Sequence, residues 1–530
     1  MSVLCLDVGT SAVKAAVIDP DGAVRASGTA EYPTHRVGGG GVEQSPLDWW
    51  TASATAIAQC GAAVGQVRAL SVTGQMQDLI VLDGVTPVRD ALLYSDLRAG
   101  AEHAELAAAL QGWDDRAGTV QDQSNVAAKM LWLGRHEPAT LARATGVVFG
   151  PAGYLLKRCG APALCDVTTA SATGLLDLAA RDWNEDVLDA ASIDRALLPT
   201  LVDAAGLLPA AHEDPTARGK RMALRQPAVH AELSAAAARE LGLPAGIALV
   251  CAAGDAGAAT DGLVGDEPGA AYLYLGTTGW LAKISEPGPR GTAHPSMHRL
   301  AMPGGSELAI AAVLHAGSAV DWARRTFLPG RSFADLEAQL PTHRTSGLLC
   351  LPGLAGERSP VRDPHARGTF VGAGPDTTAE DFYLATLEGV AFAFRHVADE
   401  LGVGDGVLPA VGGGVRSAAW RQVLADVLDR PIVAIADVDS GTHSAARAAY
   451  RALGEPVPAP LLATARDSIA HDATARNAVA RDEHRADPGS RSADYRRLAP
   501  VHHDLYGTLA ETFRRLSTAT AADRKDPDHA

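Results

Sequence analysis

The sequence is poor in the residues that would mark a secreted, metal-bound or nucleic-acid-bound protein. Six cysteines, Cys5, Cys60, Cys159, Cys165, Cys251 and Cys350, are scattered through 530 residues. None forms a CxxC pair, which excludes a zinc ribbon or a thioredoxin-type redox motif. Their apolar surroundings predict buried free thiols. Cationic charge is in deficit, with 46 Lys and Arg against 62 Asp and Glu and a net charge of −16. Phosphate backbones are bound by clustered cations, so nucleic acid is not an expected partner. Only six of the cations are lysines: Lys14, Lys129, Lys157, Lys220, Lys283 and Lys525. No apolar run reaches the roughly 18 residues of a membrane span, so no membrane partner is expected. The opening residues lack the cationic start and long apolar core of a signal peptide and read directly as a strand, so a cytoplasmic location is expected. A P-loop of the form GxxxxGKS or GxxxxGKT is absent, and no GxGxxG links a strand to a helix. His294 and His298 have a metal-ligand spacing, but Pro295 breaks the helix that would hold them. His502 and His503 read as solvated surface.

What is present is a full globular core, 47% hydrophobic and 20% charged. At roughly 100–200 residues per domain, the length implies two large domains or several small ones. Val3–Asp7, Val13–Ile18 and Ala23–Ala30 read as a β-meander, with Asp19-Pro20-Asp21-Gly22 as a turn. A helix over Leu47–Ala63 follows, started by Ser45-Pro46, and then a strand over Val67–Val72. The same order recurs later. Ala270–Leu275, Trp280–Ile284 and Leu308–Ala312 are strands, Ser318–Phe327 and Ala379–Leu401 are helices, and Leu408–Val411 is a strand. Thr10 and Thr277 thus stand in equivalent hairpins half a chain apart, which predicts two domains on one plan. The leucine- and proline-rich stretch Arg181–Arg225 reads as an insertion and Thr464–Ser492 as a mobile loop. Tyr495–Leu516 reads as a returning helix, and Thr518–Ala530 as a disordered tail.

Four glycine-bearing strand ends carry candidate chemistry. Asp7-Val8-Gly9-Thr10-Ser11 offers backbone N–H groups and hydroxyls around a tight turn, beside a carboxylate suited to a hydrated cation. Gly276-Thr277-Thr278-Gly279 offers the same donors without the acid. Gly412-Gly413-Gly414-Val415-Arg416-Ser417, between a strand and a helix, lets a flat ligand approach the backbone and sets a helix start nearby for phosphate. Gly254-Asp255-Ala256-Gly257 places one carboxylate among small residues. That suits a general base for a hydroxyl attacking phosphorus, and it equally suits a helix N-cap.

Together these segments resemble the FGGY family of carbohydrate kinases, xylulokinase-like, within the actin/hexokinase/Hsp70 superfamily. Leu4–Lys14 is similar to the first phosphate motif, Thr73-Gly74-Gln75-Met76 to the start of the sugar-site motif, and Gly254-Asp255 to the motif carrying the catalytic aspartate. Tyr274–Gly279 resembles the second phosphate motif, and Gly412–Ser417 with Trp420-Arg421-Gln422 and Asp426 the adenosine motif. Lys129–Leu133 and Gly368–Gly372, with Asp381-Phe382 and Leu387-Glu388-Gly389, resemble the two family signatures, departing at Val126 and Ala373. The resemblance implies an α/β fold of two ribonuclease H-like, actin-like ATPase domains, with mixed sheets flanked by helices and a cleft between them. It divides the chain into 1–248 for sugar and 249–517 for nucleotide, and is compatible with a homodimer. ATP and Mg²⁺ are the implied cofactors and a small sugar or polyol, foremost D-xylulose or a related pentulose, the implied substrate. Asp255 would be the base, and Asp7 would hold Mg²⁺ through water. Gly9, Thr10, Ser11, Lys14, Gly276, Thr277, Thr278, Gly412, Gly413, Gly414 and Arg416 would bind nucleotide, and Gln75, Met76, Gln77 and Asp255 the sugar. Two positions depart from the xylulokinase pattern: Gln77, followed by Asp78, stands where a histidine is usual, and Ala256 where an asparagine is usual. An actin- or Hsp70-like ATPase would share the hairpins but not the Gly74–Met76 loop.

Overall fold

The computed structural model describes residues 2–203, 229–288, 294–338, 340, 344–435, 439–463 and 484–523. Alternation along the first strand decides the layering. In β1 (Val3–Val8), Leu4, Leu6 and Val8 enter one apolar cluster, while Val3 and Cys5 enter another on the opposite face. A strand covered on both faces needs apolar residues at nearly every position, and β1 has them. β1 pairs antiparallel with β2 (Ala12–Ile18), and β2 with β3 (Val24–Glu31). On the other side β4 (Ala69–Gly74) runs parallel to β1. The sheet ends with β5 (Ala231–Glu232) and β6 (Ala248–Cys251), β6 parallel to β4 and β5 antiparallel to β6.

The C-terminal sheet repeats this pairing. β7 (Ala271–Leu275), β8 (Gly279–Ser285) and a later strand form its meander. That later strand follows β9 (Met297–Ala301) and is β10 (Glu307–Val313). β11 (Leu408–Val411) runs parallel to β7, and β12 (Ile432–Ala434) parallel to β11. β13 (Arg485–Ala486) closes the edge antiparallel to β12. The duplicated plan expected from the two Gly-Thr turns is therefore present pairing for pairing. The addition is β9, which hydrogen-bonds β10 on the outer edge. A second mixed-length sheet, containing Gly41–Gln44, Leu79–Asp83, Ala91–Leu92 and Gly146–Phe149, flanks the N-terminal half and was not foreseen.

Helices cover the sheets. Those used below are α1 (Pro46–Gln59), α2 (Val126–His136), α3 (Val167–Ala172), α4 (Asp255–Val264), α5 (Gly317–Phe327), α6 (Ala379–Glu400), α7 (Ala418–Leu428), α8 (Ser440–Ala452) and α9 (Ser492–Asp523). α8 comes from the C-terminal half, yet its Ala445, Ala446, Ala448, Ala449 and Ala452 pack on Val3, Cys5, Ala16, Ile18, Ala69 and Val250 of the N-terminal sheet. Side chains this small let a helix lie close to strands. α8 is tied to α4 by the buried Asp261, which accepts from Ser444 at 2.9 Å and pairs with Arg447 and Arg451, each at 3.1 Å. Burial opposes ionisation of Asp261, but Arg451 and Arg447 outweigh it and hold the carboxyl below its usual range. The two halves are therefore interleaved, and a division at 248/249 cuts β6, which belongs to the N-terminal sheet.

Other expectations are corrected in detail. The helix expected to reach Ala63 ends at Gln59 and passes into a 3₁₀ stretch, Gly61–Gln66. The tail expected to be disordered from Thr518 is helical to Asp523, and 524–530 lie outside the described residues. Parts of the Arg181–Arg225 insertion (204–225) and of the Thr464–Ser492 loop (464–483) also lie outside them, as do Lys220 and Lys525. His502 is not on the surface. It is 0% exposed, between α9 and α6, at the helical spacing that also turns Tyr495, Ala499 and Tyr506 inward. All six cysteines are free and buried. Among the described residues no helix is long and apolar enough to cross a membrane, and no group of three or more His, Cys, Asp or Glu side chains could hold a metal ion.

Candidate active site

The β1–β2 hairpin carries Asp7 near the end of β1, opposite Lys14 and just before the turn. The Gly9 N–H closes the turn on the Ala12 carbonyl at 3.1 Å, and the Tyr32 hydroxyl donates to the Gly9 carbonyl. The Asp7 carboxyl accepts no hydrogen bond from the described residues. The start of α8 faces it: a β-carbon on Gly441 would lie 2.2 Å from its Oδ2, so glycine is required there. Burial and the neighbouring Asp439 push Asp7 up to about 6, against the pull of Lys14. Lys14 Nζ stands 3.9 Å from Asp439. An unspent, part-buried carboxyl with a second carboxyl and a lysine at hand is suited to a hydrated cation.

The Thr73–Gln77 loop is wired to this hairpin. Gln44 donates to the Thr10 carbonyl at 2.7 Å and accepts from Gln75 Nε2 and Trp49 Nε1, each at 2.9 Å. Gln77 takes a positive φ of 68°, and its side chain donates to the Ser124 carbonyl at 3.1 Å. Beneath it the fully buried Lys129, on α2, donates to the Leu93 carbonyl at 2.6 Å and the Gln77 carbonyl at 3.4 Å. Asp78, also 0% exposed, accepts from Tyr94 N–H at 2.9 Å. Burial pushes the Asp78 carboxyl up and the Lys129 ammonium down, and each charge draws the other partly back. Tyr94 in turn places its hydroxyl 3.3 Å from Thr10 Oγ1. Gln44, Asp78 and Tyr94 are supports that sequence reasoning did not assign.

Asp255 is the first residue of α4, and the cap is Gly254 with no side-chain cap bond. The helix-cap reading of Asp255 is thereby excluded. The Gly254 N–H is fixed instead by Asp166 Oδ1 at 2.9 Å, and the same oxygen caps α3 through Thr169 N–H at 2.9 Å. An Asp-x-x-Thr capping pattern was the available sequence signal for Asp166. A β-carbon on Gly254 would lie 2.5 Å from Met76, so the Thr73–Gln77 loop and the start of α4 meet directly. The Asp255 side chain opens to solvent in the cleft, and Oδ1 accepts only the adjacent Ala256 N–H, at 2.7 Å. Surrounding protein and the charge of Asp7 push it up to about 7. The charge of Asp7, at the end of β1, thus reaches Asp255 at the start of α4.

The β7–β8 hairpin closes with Gly276 N–H on the Thr278 carbonyl at 2.9 Å, leaving Thr277 and Thr278 exposed. The start of α5 supports it from behind, with Gly317 and Ser318 N–H groups donating to the carbonyls of Gly276 and Thr277 at 2.9 and 3.0 Å. The three glycines after β11 divide their work. β-Carbons on Gly412 and Gly414 would lie 2.5 Å and 2.7 Å from Leu275, so packing requires both; at Gly413 nothing lies within 4 Å. Gly413 is therefore the one of the three that packing leaves free to be another residue. The expectation that the next helix start takes a phosphate is corrected: Glu337 accepts from Ser417 at 2.5 Å and from Ala419 N–H at 2.8 Å, and fills the start of α7. Asp426 anchors Arg491 at 2.7 Å, and Glu388 accepts from Tyr495 at 2.5 Å, so these two motif acids brace the C-terminal segment.

Two models of the FGGY family of carbohydrate kinases match this chain, the N-terminal domain over residues 2–214 and the C-terminal domain over 273–453. The chain belongs to the FGGY family. It is accordingly a carbohydrate kinase, a phosphotransferase that takes the phosphoryl group from ATP and gives it to an alcohol group. It is 33% identical to a xylulose kinase of Streptomyces rubiginosus over 81% of this chain and 83% of that protein. It is 28% identical to a glycerol kinase of Alkalilimnicola ehrlichii over 86% and 90%. A solved xylulose kinase from Rhodospirillum rubrum is 26% identical, with a TM-score of 0.79 over 97% of this chain and all of that one. Two actin-like ATPase domains with mixed sheets and flanking helices are thereby the fold of this FGGY kinase.

Proposed function

We propose that this kinase phosphorylates a small ketose, D-xylulose or a related pentulose, with Asp255 as general base. The observation that carries the reading is the Asp255 carboxyl, open to the cleft, with the Ala256 N–H as its one hydrogen-bond donor among the described residues, and pushed up to about 7 by the surrounding protein and the charge of Asp7. A base poised near neutrality takes the proton of an attacking hydroxyl most effectively. The hydroxyl oxygen bonds to the γ-phosphorus, the bond to the bridging oxygen breaks, ADP leaves and the proton passes to Asp255. Thr10 and Ser11 with Gly9 and Lys14 on one hairpin, and Gly276, Thr277 and Thr278 on the other, hold the phosphates in line. Gly413, with Gly412 and Gly414 behind it and Arg416 beyond, gives the nucleotide a surface. Asp7 fits a hydrated magnesium ion, which when bound would offset charge on the phosphates.

Gln75, Met76 and Gln77 line the sugar side. Similarity to xylulose kinases supports a pentulose, while Gln77 puts an amide in place of the imidazole usual in that branch and Ala256 removes a polar group, and a site built for one hydroxyl pattern penalises another. The test is ADP release over a panel of ketoses and polyols, with the product's mass and phosphorylated position read directly. A pentulose with the highest kcat/KM supports the proposal. Turnover confined to compounds without a ketose group refutes it.

A further inference from the structure

We infer that Tyr274 is a phosphate-binding residue of the β7–β8 hairpin, its phenol hydroxyl donating to the phosphate chain of the bound nucleotide. The inference rests on the cleft reading above and adds a side chain to it. Tyr274 and Trp280 are cross-strand partners, and their rings stack at 3.8 Å between centroids and 12° between planes. Trp280 is itself fixed, its Nε1 donating to Tyr272 hydroxyl at 3.1 Å. Tyr272 is bonded onward to Thr260 of α4, the helix that begins at Asp255. The stack is therefore held from the catalytic helix, two residues before the hairpin turn.

The Tyr274 ring lies over that turn. A β-carbon on Gly276 would stand 2.5 Å from the phenol oxygen and 2.7 Å from the ring edge. The hydroxyl has no hydrogen-bond partner among the described residues, and the side chain is half-buried rather than enclosed. A phenylalanine would stack equally well on Trp280, so the hydroxyl is the part that packing does not explain. The electrostatics of the cleft give it work. Asp7, Asp255 and Asp439 already crowd the phosphate path, and the lysine beside them, Lys14, stands on the other hairpin. A polyphosphate entering such a site needs neutral donors on the C-terminal side, and a preoriented phenol is one.

The experiment compares wild type with Tyr274→Phe, which keeps the ring and the stack. Calorimetric binding of adenosine, ADP and a non-hydrolysable ATP analogue is measured with magnesium, beside steady-state ADP release with the best sugar of the panel. A hydrogen bond to a charged group is worth roughly a 10-fold or greater affinity change. The expected result is that loss for the ATP analogue, unchanged adenosine affinity, a raised ATP KM and an unaltered sugar KM. Equal analogue affinity in the two proteins overturns the inference. Equal losses for adenosine and the analogue overturn it too, because they place the effect on packing and not on phosphate. Asp255→Asn, run alongside, separates the two readings. If it stops turnover while Tyr274→Phe binds normally, only Tyr274 is misassigned. If it turns over normally while Tyr274→Phe loses phosphate affinity, the base is misassigned and Tyr274 stands.

Discussion

The two hairpins are built on one strand plan and differ in what stands around them. The β1–β2 hairpin carries an acid, Asp7, at the end of its first strand, and faces the start of a helix lent by the other half, with Asp439 and Lys14 beside it. The β7–β8 turn carries no acid, is backed by α5 from its own half, and is flanked by a stacked tyrosine and tryptophan. Repetition of a fold therefore does not mean repetition of a role. On the proposed reading the N-terminal turn would handle charge and the C-terminal turn would offer neutral donors. The seam between them is α4, whose first residue is Asp255 and whose Asp261 is locked to α8.

The largest break in this comparison is expected from Asp7→Asn. It removes the acid that distinguishes the N-terminal turn, and kcat should fall by roughly 10²–10³-fold, the scale of losing one electrostatic contact to developing charge. Thr277→Val, which removes only a neutral donor from the other turn, should cost less in kcat and show mainly in ATP KM. Equal losses in the two variants would mean that the turns share one role.

The sugar side is sharpened by Gln77→His with Ala256→Asn. Each hydrogen bond regained to a neutral hydroxyl is worth about 0.5–1.5 kcal/mol, so the pair should move the kcat/KM ratio toward D-xylulose by roughly 10- to 100-fold. The ATP KM should stay put, because both turns are untouched. A wild-type enzyme already efficient on D-xylulose, with no shift in the double variant, would show that neighbouring groups replace the missing ones.

A smaller effect depends on pH. In the C-terminal half His396 Nε2 lies 3.1 Å from His502 Nδ1, and burial pushes His502 down to about 4 and His396 to about 3. Both rings are thus kept neutral in the fold. Their contribution to stability is complete above the ordinary histidine value of about 6.5 and is lost as pH falls from there toward 4. Hydrogen-exchange protection factors around α6 and α9 should be lower at pH 5 than at pH 7. Unchanged protection of these helices between the two pH values would contradict it.

The features legible in the sequence are those that local chemistry dictates. Apolar, β-prone runs marked β1, β2, β7 and β8, and the glycine turns marked where they close. Asp255 was legible as a carboxyl among small residues, although its alternative as a cap fell only when Gly254 was seen in that place. What was not legible depends on partners distant in the chain. β9 is short and carries His298 and Arg299, so it shows no clean apolar alternation. It holds its place through the other half, with Thr168 donating to the Ala301 carbonyl at 2.7 Å. The alanines of α8 reveal a closely packed helix but not which sheet it covers. Tyr274 looked like one more strand residue until its ring was found over Gly276.

The central claim is that Asp255 takes the proton at the seam between the two turns. Its most direct test is single-turnover phosphoryl transfer by Asp255→Asn, with binding of a non-hydrolysable ATP analogue measured on the same preparation. The account predicts a transfer rate lower by roughly 10²–10⁴-fold with analogue affinity near that of wild type. A transfer rate equal to wild type at full nucleotide binding would contradict it.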